Sequence, residues 1–166
     1  WIPDSVTKIS NGSFSCSWIE SVRLSDNLIT IEDDAFPGCD YLKRINIPDS
    51  VTRMGVNVFS NSPMLTELKL PDSVTEIGSH FCQQCENLRN LKLSKGMTVV
   101  PECAFNACSS LEIVTIPASI TKIEMDAFRK CDNIKSVYYD GSEADWAKIE
   151  FGTGNEALQN AEIIFN

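Results

Sequence analysis

The sequence predicts an α/β repeat fold, a right-handed solenoid with a parallel β-sheet on one side, and two observations support this. Segments with apolar residues at their first, fourth and sixth positions begin 23 residues apart, at Ile19, Leu42, Leu65, Leu88, Leu111 and Ile134. A small residue stands three positions before each start, as Cys16, Cys39, Ser62, Cys85, Cys108 and Cys131. One unit cannot bury its own apolar side, so neighbouring units must stack into one continuous core.

Each 23-residue unit is expected to contain a strand, a turn and a return segment. The apolar alternation predicts one strand from each start, plus a partial strand near Ile2. Proline follows four of these segments, and because it has no N–H it ends the strand ladder. The return stretch, such as residues 33–39, is too short for more than a turn or two of helix. We therefore expect a concave sheet, with short helical turns or loops on the convex side.

The repeat pattern resembles a known family. A period of 20–29 residues carrying L-x-x-L-x-L is the signature of leucine-rich repeats. The units resemble the BspA-like or Treponema pallidum type, roughly L-x-x-L-x-L-P-x-x-V-x-x-I-x-x-x-A-F-x-x-C, over residues 2–137. The aromatic position is filled by Phe14, Phe36, Phe59, Cys82, Phe105 and Phe128, with Phe81 displaced into the small-residue place before Cys82.

The sequence predicts a single domain over residues 1–166. Residues 1–18 match part of a unit, so we expect a fragment with more chain upstream; repeats occupy 19–137 and a cap 138–166. The cap looks like that of bacterial members of the family. Ser142-x-x-Asp145 resembles a helix capping box, and residues 163–165 could add a final strand. Ala144, Trp146, Ala147 and Ile149 are expected to cover the last rung.

Composition limits the partners. The net charge of −9 argues against nucleic acid, since phosphate binding needs a basic surface. No apolar run reaches the roughly 18 residues of a membrane span, and no signal segment opens the chain. The half-unit containing Trp1, Ile2, Val6 and Ile9 is expected to expose an apolar edge, and self-association through that N-terminal edge is a further prediction.

The five cysteines that stand three positions before the strand starts are interpreted as buried, unpaired thiols, because stacked equivalent side chains point in one direction. Cys82-x-x-Cys85 lies near His80, but a structural zinc site needs four ligands, so we predict no metal and no cofactor. A polar row containing Asn57, His80, Cys103 and Asp126 has the makeup of some thiol hydrolases. A hydrolase using Cys103 and His80 is therefore a remote alternative, and Cys103 is expected to be the most exposed thiol.

The outward strand positions carry more bases than acids. The bases are Arg23, Lys43, Arg44, Lys69, Arg89, Lys92 and Lys135, and the acids are Glu20, Glu67 and Glu112. A mildly basic concave face suits an anionic ligand, although solvated strands also favour Lys and Arg. Tyr138 and Tyr139 are expected to add an aromatic end to this face. The candidate ligand contacts are Arg23, Arg44, Lys69, Lys92 and Tyr138.

These observations predict a non-catalytic binding or adhesion module whose concave sheet binds a protein or an anionic glycan. The resemblance implies a bacterial, cell-surface or secreted protein, because BspA-like proteins are associated with attachment to host proteins and to other cells. The alternative is a structural spacer that displays another domain of a longer chain.

Overall fold

The computed structural model describes residues 1–166 and has the predicted parallel solenoid fold. In chain order its strands are β1 (Lys8–Ile9), β2 (Thr30–Ile31), β3 (Arg53–Met54), β4 (Glu67–Lys69), β5 (Asn90–Lys92), β6 (Val99–Val100), β7 (Ile113–Pro117), β8 (Lys122–Ile123), β9 (Ser136–Asp140), β10 (Glu150–Phe151) and β11 (Glu162–Phe165). The helices are α1 (Glu143–Trp146) and α2 (Glu156–Gln159), both near the C-terminal end. Turns connect the strands elsewhere, as the short return segments predict.

The main sheet contains five parallel strands in the order β11-β9-β7-β5-β4. Equivalent residues of successive units pair directly, as Lys69 does with Lys92. Four of the six predicted strand segments form regular strands here. The segments starting at Ile19 and Leu42 do not, since they share only a bridge between Arg23 and Asn46. The partial strand expected near Ile2 is also absent, so regular pairing in the main sheet begins only at β4.

A second set of parallel strands, which the sequence analysis did not predict, lies in the second half of each unit. It forms two three-stranded sheets, β1-β2-β3 and β10-β8-β6. Their buried residues are the second apolar positions after each turn, at Ile9, Ile31, Met54, Val100 and Ile123. Arg53 extends the ladder by one bridge to Glu76. The apolar spacing of this segment was the sequence signal for these strands, but each is only two residues long.

A row of phenylalanine rings runs through the core, which contains 43 buried residues. The rings of Phe14 and Phe36 stack with centroids 4.9 Å apart, and Phe105 stacks on Phe128 at 5.4 Å. Phe81 also belongs to this row, although its backbone lies at the position that directly precedes the aromatic residue in the other units. Its ring meets Phe59 and Phe105 edge-on, at interplanar angles of 79° and 80°. The aromatic row is therefore continuous, and Cys82 does not replace a ring in it.

The cysteines and the serine that stand three positions before the strand segments form hydrogen bonds to the aromatic row of the preceding unit. Cys85 donates its thiol to the carbonyl of Phe59 at 3.1 Å, and Cys131 donates to Phe105 at 3.1 Å. Ser62 makes the equivalent bond to Phe36. The position therefore requires a small side chain that can donate one hydrogen bond, which explains why both cysteine and serine occur there.

The N-terminal unit lacks one residue, and the structure places the gap next to Trp18. Lys8 pairs with Thr30, an offset of 22 residues instead of 23. Ser17, which lies 3.5 Å from the sulfur of Cys39, therefore takes the place predicted for Cys16. Cys16 instead occupies the preceding turn position, with a φ of 51°, and its side chain is exposed. The assignment of Cys16 to the buried row is wrong for this reason.

The prediction of an exposed apolar edge at the N-terminal end is also wrong. Ile2 and Ile9 are buried, Val6 packs partly buried against the core, and Trp1 alone is strongly exposed, at 79%. Of the four residues only Trp1 is strongly exposed, and self-association through the N-terminal end stays a prediction.

The last turn is closed by α1, α2 and β11. Ser142 caps α1 by accepting a hydrogen bond from the N–H of Asp145, as the sequence predicts. Hydrogen bonds from Lys148 and Ser142 lower the pKa of Asp145 to about 2. Ile149 is buried and Trp146 packs against Tyr139. Ala144 and Ala147 are exposed, because a helix of four residues can turn only one side inward.

Candidate functional site

The outward face of the main sheet contains the predicted ligand contacts. Arg23, Arg44, Lys69 and Lys92 are exposed, and Tyr138 is partly exposed. Lys69, Lys92, Thr115 and Tyr138 follow one another along one row of paired residues. Tyr139 does not belong to this face; it is buried and contacts Trp146 and Phe165.

Most bases on this face are paired with acids. Arg23 pairs with Asp26, Lys43 with Glu20, Lys69 with Glu67, and both Arg89 and Lys135 with Glu112. The hydrogen bond from Lys135 lowers the pKa of Glu112. Arg44 and Lys92 form no ion pair, although Glu67 lines the same groove as Arg44. Arg44 and Lys92 are therefore the predicted contacts on this face whose charges are not offset by an ion pair.

Two shallow grooves adjoin at the centre of the face. One, of about 230 Å³, is lined by Arg44, Ile45, Asn46, Glu67 and Lys69. The other, of about 250 Å³, is lined by residues of β4, β5 and β7, including Lys92 and Thr115. Glu67 and Lys69 lie between them and belong to both. Arg44 and Lys92 thus flank a continuous polar depression.

An aromatic ridge borders the N-terminal half of the face, and the sequence analysis missed it. We define it as Trp18, Tyr41 and Met64, which occupy the position before the first apolar residue of successive units. Trp18 is 83% exposed and stacks on Tyr41 with centroids 5.7 Å apart. Later units place Asn87 and Asn133 here, whose amides bind turn carbonyls. In the first units apolar residues stand where later units have asparagine, and this difference in the sequence could have predicted the ridge.

A surface pocket of about 530 Å³ lies between the last turn and α2. Its charged lining residues are of mixed sign: Arg129, Lys130, Asp132 and Glu156. It shares no residue with the two grooves of the main sheet, and its mixed charge favours no class of ligand.

The polar row containing His80 and Cys103 is explained by backbone conformation. Its members all have positive φ, between 51° and 82°: Gly12, Asp34, Asn57, His80, Cys103, Asp126 and Gly154. Glycine, asparagine, aspartate and histidine are the residues that most often adopt this region. The side chains of His80 and Cys103 share no hydrogen bond; the thiol of Cys103 is contacted by Asn106 at 3.9 Å. No three side chains are arranged to hold a metal ion.

The expectation that Cys103 is the most exposed thiol is wrong. Cys103 is 8% exposed, whereas Cys16 is exposed. Burial raises the pKa of the Cys39, Cys82 and Cys103 thiols. Since the thiolate is the reactive form, burial and a raised pKa both protect these residues.

A bulky maleimide is therefore expected to modify one thiol of the native protein, that of Cys16, and seven after unfolding. Mass spectrometry of the labelled chain, followed by peptide mapping, measures both numbers. Cys16→Ser should abolish native labelling, while Cys103→Ser should not change it. Native modification of Cys103 ahead of Cys16 would contradict the burial described above.

A parallel solenoid with a leucine-lined core defines a leucine-rich-repeat protein, and a family model agrees. The model of the BspA type leucine rich repeat region matches six copies within residues 7–135. The chain therefore belongs to the BspA-type leucine-rich-repeat family. No curated protein sequence matches it significantly.

Solved structures with the same fold come from several bacteria. The leucine-rich-repeat protein of T. pallidum matches with a TM-score of 0.76 and 18% identity, over 97% of this chain and 79% of its own. A leucine-rich cell surface protein of Faecalibacterium prausnitzii A2-165 matches with a TM-score of 0.59 and 24% identity, over 89% of this chain. This chain spans 55% of that protein's length.

The pneumococcal vaccine antigen PcpA is a third similar structure, with a TM-score of 0.65 and 22% identity. The match covers 84% of this chain and 37% of that protein. At these identities the likeness shows a shared fold. None of this protein's helices has the length and apolar character of a membrane-spanning segment.

Proposed function

We propose that this chain is a non-catalytic binding module of a bacterial cell-surface or secreted protein. In this proposal the outward face of the main sheet binds a protein or an anionic glycan. The observation that carries it is the pair of unpaired bases, Arg44 and Lys92, flanking a continuous groove. An extended sheet on one side of a solenoid is a common binding surface. The surface location rests on the family and on the F. prausnitzii relative, which is described as a cell surface protein.

The aromatic ridge adds contact area that suits a protein ligand. Tryptophan, tyrosine and methionine are enriched where proteins bind each other. Trp18 and Tyr41 stand just before the strand segments that carry Arg23 and Arg44, so a ligand on the N-terminal half of the face could contact both features. Tyr138 adds an aromatic side chain near the C-terminal end of the face, between Thr115 and Ile164.

Reversing the two unpaired bases is expected to weaken binding to an anionic partner. The double variant Arg44→Glu with Lys92→Glu should lose at least about tenfold in affinity, equivalent to roughly 1.4 kcal/mol. Binding of the wild-type chain should also weaken with added salt, since exposed charges are screened beyond about 8 Å at physiological ionic strength. Surface plasmon resonance against immobilised heparin and acidic matrix proteins, at low and high salt, measures both effects.

The matched control changes the same charge away from the face. Lys122→Glu with Lys130→Glu alters exposed residues of β8 and of the last return segment, and should leave binding intact. Equal losses from both double variants would mean that net charge alone drives binding. Salt-insensitive binding, or none to any probe, would favour the spacer alternative. Neither double variant should change thermal stability greatly, because exposed substitutions usually alter it by within about 0.5 kcal/mol.

A further inference from the structure

The last strand, β11, leaves one edge of the main sheet unpaired. Glu162 and Asn166 donate their N–H groups inward, to the carbonyls of Lys135 and Tyr139. The N–H and C=O groups of successive strand residues point to alternate sides, so those of Ile163 and Phe165 point to the open edge. Two donors and two acceptors are therefore presented beside β11.

The side chains of β11 do little to block this edge. Natural edge strands are usually protected by charges, prolines or bulges. The strand carries one charge, on Glu162, and no proline, while Ile163, Ile164 and Phe165 are each at least partly exposed. Ile163 packs against the core, whereas Ile164 pairs with Tyr138 on the outward face. Such an edge is a template for another strand.

We propose that β11 pairs antiparallel with β11 of a second copy of this chain, joining two main sheets tail to tail. Ile163 pairs with Phe165 of the partner subunit, and Phe165 pairs with Ile163 of the partner subunit. Each hydrogen-bonded pair exchanges two bonds, so all the open groups of both strands are satisfied. If the strands slide by two residues, either Ile163 or Phe165 lies opposite a position outside β11.

The charges and apolar residues of β11 fit this register. Glu162 lies opposite Asn166 of the partner subunit, whose side chain is uncharged, so no side chains of like charge meet across the pair. Ile164 lies opposite Ile164 of the partner subunit on the outward face. On the inner face each Ile163 meets a phenylalanine, which continues the apolar layer of both cores. The interface is self-complementary, as a twofold dimer requires.

Head-to-tail association satisfies fewer groups. On the main-sheet side, the N-terminal end presents residues 1–3, which form no strand. The N–H of Ile2 already bonds to Arg23, and Pro3 has none to offer. A closed pair of β11 strands therefore gains more hydrogen bonds than an open-ended filament.

Charge substitution at the symmetric position tests the pairing. Sedimentation equilibrium of the 166-residue chain should show a dimer whose mass does not grow further with concentration. Ile164→Lys and Ile164→Glu should each weaken dimerisation at least tenfold, because like charges meet across the twofold axis. An equimolar mixture of the two variants should restore the dimer. Ile113→Lys, at an exposed position on the outward face of the interior strand β7, should leave dimerisation unchanged.

Several outcomes would overturn the proposal. These are a wild-type chain that stays monomeric at all concentrations, dimers that persist in both Ile164 variants, and a mixture that fails to dimerise. A mass that rises without limit would indicate head-to-tail filaments and would also overturn it. Unchanged circular dichroism and thermal unfolding of both Ile164 variants would establish that the loss of dimer is not a loss of fold.

Discussion

Replacing Asn155 with alanine is expected to cost about 3 kcal/mol of unfolding free energy, because it leaves the buried N–H of Phe128 and the part-buried carbonyl of Gly152 without partners. The Asn155 side chain is fully buried. Its Oδ1 accepts from the N–H of Phe128 at 2.9 Å. Its Nδ2 donates to the carbonyls of Glu124 and Gly152 at 2.9 and 2.8 Å.

The reason for this large effect is that Asn155 replaces the next turn of the solenoid. Within the repeats, the N–H of Phe105 donates to the carbonyl of Ala127 in the following unit. Phe128 has no following unit, and the amide oxygen of Asn155 takes the place of that carbonyl. Asn155 therefore ends the backbone ladder with a side chain, which is the requirement that a capped solenoid must meet.

Urea unfolding followed by circular dichroism measures the loss, and hydrogen exchange locates it. Because each turn contacts mainly its neighbours, exchange should rise first in residues 150–165 and in the turn containing Phe128. Asn160→Ala is the matched control, since Asn160 is an exposed residue of the same cap and should change stability by within about 0.5 kcal/mol. Equal stability of the Asn155→Ala and Asn160→Ala variants would show that the amide does not close the ladder.

Asn155→Asp separates shape from hydrogen bonding. Aspartate can still accept from Phe128, but its carboxylate oxygen would face the carbonyls of Glu124 and Gly152. Burial raises the folded-state pKa of such a group above its unfolded value. The ionised form is then the destabilising one, so the deficit should shrink as pH falls and be largest near neutrality. A deficit independent of pH would contradict this account.

The sequence predicted the repeat and its packing rows because both depend on spacing alone. It also contained the ion pairs of the main face, since residues 23 apart lie side by side; Glu20 and Lys43, or Glu112 and Lys135, could have been paired by counting. Counting alone does not narrow the basic face further, because the same rule places Glu67, 23 residues after Arg44, beside that base. The predicted contacts Arg23 and Lys69 carry charges that acids within their own units neutralise.

Other features depended on backbone conformation, which a spacing pattern does not contain. Cys103 and His80 share a row because that turn position has positive φ, and the turn rather than the row decides that Cys103 is buried. The gap beside Trp18 could be placed anywhere between Phe14 and Ile19 by counting. The hydrogen bonds of the turn place Ser17 in the row that contains Cys39. They place Cys16 one position earlier, where its side chain is exposed.

Replacing Phe81 with alanine is expected to cost about 3–5 kcal/mol, the usual loss for a fully buried phenylalanine. The backbone of Phe81 occupies the position of Val58 and Ala104, since the N–H of Phe59 donates to Phe81 and that of Cys82 donates to Ala104. Its ring nevertheless fills the gap between Phe59 and Phe105, with centroid distances of 5.4 and 6.2 Å. Alanine would leave this gap empty.

Moving the ring by one residue should recover most of that loss. The double variant Phe81→Ala with Cys82→Phe restores the Ala-Phe order that residues 35–36, 104–105 and 127–128 have, and the new ring can stack face-on with its neighbours. Cys82→Phe alone should cost about 1–3 kcal/mol, because two rings then compete for one place. The two substitutions are therefore expected to couple favourably by several kcal/mol in a double-mutant cycle from urea unfolding. Additive losses would mean that Phe81 and Cys82 occupy separate places in the core, and that the aromatic row is interrupted at this unit.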